Sequence, residues 1–234
     1  LYKELKDVKP QKRALIAILD TGVDAAHEDI NANFKSTQAK YDTDKAGHGT
    51  HCAGIAAAVS NNNIGIASFS QDNSFVQVTS IKVLGDGGFG TQKTIIDGIL
   101  EAADKGADVI SLSLGGPSTD SRQQAYQKAV EYANRKGAIV VVAAGNANRN
   151  AKGFAPASAP GVITVSAVDT VLGRASFSNF VQDIDMAVAA PGVKIYSTFP
   201  GSQYQTFNGT SMATPYVSGL IGLMKSVKPA LATK

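Results

Sequence analysis

The chain has no tryptophan, three methionines and one cysteine in 234 residues. The lone Cys52 excludes an internal disulfide framework and any cysteine-rich metal site. Only three histidines occur, His27, His48 and His51. None stands in a His-Glu-Xaa-Xaa-His spacing, so the usual ligand set of a catalytic zinc is missing. Charge of one sign is equally scarce: 22 Lys and Arg against 19 Asp and Glu leave +3. With no run of five like charges, that balance gives no nucleic-acid-binding face. Apolar runs such as Ala138 to Ala144 are far too short to span a bilayer, so no membrane partner is expected. No basic, apolar and small-residue leader opens the chain, but a secreted protein would have shed one.

What is present suits a packed enzyme-sized core: 44% hydrophobic residues, 18% charged, and 23 glycines for tight loops. The apolar pattern alternates between short β-rich runs and helical segments. Ala14 to Leu19 reads as a buried strand ending at Asp20, and Thr50 to Val59 as a helix. Val76 to Val83 is a strand, Thr91 to Lys105 a helix, Asp108 to Leu114 a strand and Ser121 to Lys136 an amphipathic helix. Ala138 to Ala144, Val162 to Val168 and Met186 to Ala190 are further strands, and Tyr216 to Met224 opens a last helix. This is the pattern of an α/β fold, a mostly parallel central sheet with helices on both faces, in a single domain over residues 1–234. In such sheets ligands sit beyond the carboxyl ends of the strands. Asp20, Ser113 to Gly116 and Gly145-Asn146 all follow predicted strands and so converge on one edge.

Gly209-Thr210-Ser211-Met212-Ala213-Thr214-Pro215 sets a serine where a helix begins. Free N–H groups and the positive end of the macrodipole there favour a developing oxyanion. A serine in that place is ordinarily only an N-cap. Three other residues change the reading. Asp20 closes the first strand, His48 lies between glycines in Gly47-His48-Gly49-Thr50-His51, and Asn146 ends Ala143-Ala144-Gly145-Asn146. Aspartate, histidine and serine are the parts of a nucleophilic triad: the hydroxyl attacks, the imidazole takes its proton, and the carboxylate fixes the imidazole. The Asn146 amide and the Ser211 N–H together can form an oxyanion hole. Losing one such donor costs about 3 kcal/mol of transition-state stabilisation, a magnitude measured on another enzyme. Spacing alone does not choose between His48 and His51. Cys52, four residues after His48, falls on the same helix face and reads as a small core residue.

In these blocks and in their order the chain resembles the subtilisin-like serine proteases, and within them the thermitase-type branch. The resemblance runs from about Ala14 to Met224. It implies a serine endopeptidase with Asp20, His48 and Ser211 as triad and Asn146 as oxyanion donor, His51 and His27 being structural and Cys52 lying beneath the histidine. It implies polypeptide substrates held as an added strand between Gly88-Phe89-Gly90 and Ser113-Leu114-Gly115. Ser113, Leu114, Gly115, Ala143, Ala144 and Gly145 then wall the pocket for the residue before the scissile bond. None of these is charged, so an apolar or aromatic side chain is expected there, with Phe154 near the floor. Gln92, Ile95 and Leu114 are expected to shape a second apolar pocket upstream.

The resemblance also implies a structural calcium ion on Asp29, Asn62 and the carbonyls of Val59, Ile64 and Ile66. It implies secretion, and a propeptide or protein inhibitor as partner. Several features depart from the family. The Asn61-Asn62-Asn63 loop is one residue longer, the usual N-terminal calcium ligand has no counterpart, and the link from Ser68 to Thr79 is long. Tyr216 replaces a histidine common in relatives. Relatives also continue beyond the Ser211 helix, so a second chain supplying the C-terminal elements, or a longer chain, is expected. Three other readings fare worse. A silent peptide-binding scaffold has no need of all four catalytic residues. A dinucleotide-binding domain needs Gly-Xaa-Gly-Xaa-Xaa-Gly where Asp20-Thr21-Gly22-Val23-Asp24 stands. An α/β-hydrolase elbow, Gly-Xaa-Ser-Xaa-Gly, fails at Ala213.

Overall fold

Ala14 to Asp20 is buried at every position, as a strand covered on both faces must be. A computed structural model describes residues 2–69 and 73–233. The elements in chain order are α1 (Tyr2–Leu5), β1 (Ala14–Asp20), α2 (His48–Ala57), β2 (Val76–Lys82), α3 (Gln92–Asp104), β3 (Val109–Leu112), β4 (Gly116–Pro117), α4 (Asp120–Arg135), β5 (Ile139–Ala143), β6 (Phe154–Ala155), β7 (Val162–Val168), β8 (Ala187–Pro191), β9 (Ile195–Phe199), β10 (Gln203–Phe207) and α5 (Thr210–Val227).

The central sheet has six strands in the order β2-β1-β3-β5-β7-β8, and every pairing in it is parallel. From β1 the chain steps outward to β2 and then returns across β1 to β3. The switch point therefore lies between β1 and β3, where Asp20 ends one strand and Ser113 follows the other. On one face α2 and α5 pack with Ile16, Ile18, Val76 and Val141. On the other, α3 and α4 pack with Leu19, Ile81, Ile110 and Val140. This is the expected two-faced α/β arrangement.

Among the boundaries that differ from expectation, the starts of two helices have identifiable reasons. Helix α2 opens at His48, not Thr50, because Asp44 accepts the N–H groups of Gly47 (2.9 Å) and Thr50 (3.0 Å) and draws the first turn back. Helix α5 opens at Thr210 and carries Pro215 in its second turn. Proline lacks the N–H that would bond the Ser211 carbonyl four residues earlier. That carbonyl instead accepts from the Ser113 hydroxyl (2.8 Å) and the Cys52 thiol (3.4 Å). The β9–β10 hairpin and the short β4–β6 pairing had no clear period-two pattern in the sequence. The long Ser68–Thr79 link leads into β2, and its residues 70–72 lie outside the described residues.

Candidate active site

Asp20 is fully buried at the end of β1, and one oxygen accepts the Thr21 N–H at 2.7 Å. His48 Nδ1 lies 2.8 Å from Asp20 Oδ1 and 2.9 Å from Oδ2. With Nδ1–H donating, the acceptor nitrogen of neutral His48 is Nε2, which leaves it free to take a proton. The close approach of α2 to β1 explains Gly49. A Cβ there would sit 2.0 Å from the Gly22 carbonyl oxygen and 3.1 Å from the Asp20 Cβ. Burial works to lower the His48 pKa, but the charge and hydrogen bond of Asp20, helped by the charge of Asp44, outweigh it. The net effect lifts His48 above its ordinary value.

Asp44 is a residue the sequence reading missed. It is nearly buried, and besides capping α2 it accepts the hydroxyls of Thr50 (2.7 Å) and Thr21 (2.9 Å). Thr21 in turn accepts the Gly49 N–H at 3.0 Å. The cluster fixes α2 against the end of β1 and so sets the Asp20–His48 distance. Its signal was available: an aspartate four residues before a glycine-flanked histidine, with a threonine at the start of an apolar helical run.

Asn146 follows Gly145, whose φ of 101° turns the chain sharply after β5. The Asn146 carbonyl oxygen accepts the Thr210 N–H (2.8 Å) and hydroxyl (2.9 Å). Both bonds fall on Oδ1, so the amide nitrogen is left to face a substrate oxygen. Thr210 is the second residue overlooked in the sequence. Only its place beside Ser211 could have pointed to it.

Ser211 is the second residue of α5 and shares a cavity of about 220 Å³ with Asn146, Leu114, Gly115, Ala143, Ala144, Gly145, Phe154 and Thr210. Its hydroxyl donates to the Ser113 carbonyl at 3.2 Å, not to His48. Catalytic hydrogen bonds are commonly loose without substrate and tighten in the complex. The adjoining groove, about 480 Å³, is lined by His48, Thr21, Leu84, Asp86 and Ile95, with Gly88, Phe89, Gly90, Ser113, Leu114 and Gly115 along it. Every expected substrate-wall residue therefore faces one of two connected spaces. Gln92 is the exception: its amide turns to the Arg122 carbonyl (3.4 Å) and does not line the groove.

The other two histidines are accounted for elsewhere. His51 Nε2 bonds the Gln205 carbonyl at 2.9 Å, and burial lowers its pKa to about 4. His27 Nε2 bonds the Gln203 carbonyl at 2.8 Å. Both therefore pin strand β10. Asp20, His48 and Cys52 place donor atoms within 4.8 Å of one another, but burial raises the Cys52 thiol well above its ordinary range. A thiolate ligand or nucleophile is thereby disfavoured.

The expected calcium residues also come together. Asp29, fully buried, accepts the Asn62 amide (2.7 Å) and the Ile66 N–H (2.8 Å), and its own carbonyl accepts the Val59 N–H (2.7 Å). Ile64 donates to the Asn62 side chain at 3.3 Å. In these contacts Asn62, Ile66 and Val59 present N–H groups to Asp29.

A parallel α/β sheet with an Asp–His pair, a helix-borne serine and an oriented amide at its switch point defines a serine hydrolase. The sequence comparisons narrow the class: the chain belongs to the Subtilase family, whose pattern matches residues 11–234. It is 45% identical over 225 residues to thermitase of Thermoactinomyces vulgaris, covering 94% of this chain and 77% of that protein. It is 42% identical to subtilisin DY of Bacillus licheniformis, over 93% of this chain and 78% of that one. A crystal structure of a cold-adapted subtilisin-like serine proteinase superposes with a TM-score of 0.79 at 28% identity, covering 96% of this chain and 80% of that one. The chain is a subtilisin-like serine endopeptidase. Among the described residues no helix is long and apolar enough to cross a membrane.

Proposed function

We propose that this endopeptidase works through an acyl-enzyme formed on Ser211. His48 takes the hydroxyl proton as general base and returns it to the leaving amine. Asp20 holds the imidazole and stabilises its protonated form. Asn146 and the Ser211 N–H receive the oxyanion. The observation that carries this reading is the two-oxygen grip of Asp20 on His48 Nδ1, with Ser211 and Asn146 lining one adjoining cavity. Labelling with a phosphonyl fluoride followed by peptide mapping tests it. Modification of Ser211 is expected, and an active protein left unlabelled there would overturn the assignment.

The substrate is a polypeptide held as an added strand, with an apolar or aromatic side chain before the scissile bond. That preference is supported by the absence of any charged side chain in the Ser211 cavity. A panel of peptides differing only at this position reads it directly. The same reading includes a single peptidase domain over residues 1–234, an extracellular location, and a propeptide or protein inhibitor in the same groove.

Calcium is the cofactor proposed. Asp29 is a buried carboxylate with no ion pair among the described residues, and burial raises its pKa despite the Ile66 and Asn62 hydrogen bonds. A buried carboxylate without an ion-pair partner fits a hard cation. Asp29, Asn62 and the carbonyls of Val59, Ile64 and Ile66 would hold it. Its contribution is to neutralise the carboxylate and stiffen the loop.

A further inference from the structure

Most side chains that line the cavity beside Ser211 are no larger than alanine, and Phe154 is the one aromatic ring among them. Strand β6 carries that ring between the two walls. A Cβ on Gly145 would lie 3.8 Å from Phe154 Cδ1, and one on Gly115 would lie 3.3 Å from the Ala155 carbonyl oxygen. The Phe154 backbone is tied down. Its N–H bonds the Ala151 carbonyl, and its own carbonyl accepts the Ser158 N–H (3.0 Å) and hydroxyl (2.6 Å). Across the strand it pairs with Pro117 of β4. The ring itself is half-buried and packs on the core cluster that α3 and α4 cover.

The space in front of this ring is short. Its 220 Å³ include the mouth at Ser211, Asn146 and Thr210, which the scissile peptide group must itself occupy. A dry apolar cavity of about 150 Å³ is filled by one benzene ring. Once the peptide group is seated, the remainder leaves no length for a substituent on a ring. A tyrosine hydroxyl pushed to the end would also meet the Phe154 ring, which cannot accept a normal hydrogen bond, and a hydroxyl buried without one is costly. We propose that Phe154 sets the depth of the cavity, so that the enzyme cuts after leucine, methionine or smaller apolar side chains and discriminates against tyrosine and tryptophan. The inference rests on the apolar preference proposed above and narrows it. Phe154 does so by exclusion, because a packed ring on a bonded backbone does not yield to a longer guest.

The test measures kcat/KM on peptides of one sequence that differ only before the scissile bond, with leucine, phenylalanine, tyrosine or lysine there. In the parent, leucine is expected to exceed tyrosine by about 10–100-fold, with phenylalanine between them. F154A lengthens the cavity and is expected to reverse the order, tyrosine rising and leucine falling. F154L, a smaller change in volume, is expected to raise tyrosine against leucine by a lesser factor and serves if F154A fails to fold. A parent that cuts after tyrosine as fast as after leucine overturns the proposal. So does a Phe154 variant that folds and keeps the parent's ratio. The lysine peptide separates the two readings. If leucine and tyrosine both far exceed lysine but equal one another, the depth inference is wrong and the apolar preference stands. If lysine is cut as well as leucine, the preference fails and the inference falls with it.

Discussion

Asp20 and Asp29 stand nine residues apart, both fully buried, and have opposite company. Asp20 faces an imidazole whose side chain is 33% exposed, so a proton can arrive from solvent and the pair can share a charge. Asp29 faces an amide and a backbone N–H, neutral donors that never carry one. A carboxylate removed from water keeps its charge only when something compensates it. At Asp20 the compensation switches on as His48 is protonated, which is what a general base needs. At Asp29 no ion pair is formed among the described residues, and burial outweighs the Ile66 and Asn62 hydrogen bonds and the charge of His27, raising the pKa. Burial by itself therefore does not mark a catalytic carboxylate. A titratable partner open to substrate does.

The comparison is broken most severely by changing the chemistry on the Asp20 side. S211A is expected to lower kcat by about 10⁶-fold, the size found for that change in a subtilisin, with thermal unfolding nearly unmoved. D20N keeps the shape but not the charge, and a loss of about 10⁴-fold is expected. The D20N pH profile sharpens the point. In the parent, kcat/KM is expected to rise with pH through a value above the ordinary histidine range, because the base form of His48 is required and Asp20 holds its pKa up. Without the carboxylate charge, burial prevails and the midpoint moves to lower pH. A midpoint that stayed in place would dissociate Asp20 from the titration. N146A, measured the same way, is expected to lose about 10²–10³-fold in kcat with little change in KM.

Changes on the Asp29 side are expected to act on stability instead. Free calcium at a hundred times its Kd adds about 2.7 kcal/mol, or roughly 5–10 °C in Tm for a domain of this size, and chelation removes it. In D29N that response is expected to vanish while turnover at 25 °C holds. The sign of the pH effect follows from the raised pKa. Without metal, the contribution of Asp29 is fully present below the ordinary carboxylate range and is lost as pH rises through the raised value. Calorimetry of the metal-free protein across that range, set against D29N, checks it. The smallest effect is expected at Cys52. C52A removes one of two donors to the Ser211 carbonyl and one buried sulfur, so about 1 kcal/mol of stability is lost and the pH profile of activity is unchanged.

Most of the fold was legible because buried parallel strands and amphipathic helices write their periods into the chain. Val162–Val168 was read to the residue, and α3 and α4 to within one at each end. The starts of the His48 and Ser211 helices were read late, because Asp44, outside the apolar pattern, caps the first, and the second runs through Pro215, whose missing donor Ser113 and Cys52 replace. The residues expected at the site were chemically conspicuous, and the structure brings them to one edge. Asp44 and Thr210 were not, because each acts only by orienting another residue, and orientation is a property of three dimensions. His48 and His51 could not be separated by spacing. Their partners, a carboxylate for one and the Gln205 carbonyl for the other, separate them at once.

The helix carrying Ser211 packs beneath β1, β3, β5, β7 and β8 and against α2, all of which precede it in the chain. Asp20 and Ser211 are 191 positions apart, and contacts of such separation form slowly. The nucleophile thus stands on a segment made well after those that carry the base and the oxyanion amide. A chain whose synthesis has not reached residue 211 carries the base and the oxyanion amide but no nucleophile, so it cannot cut the proteins around it.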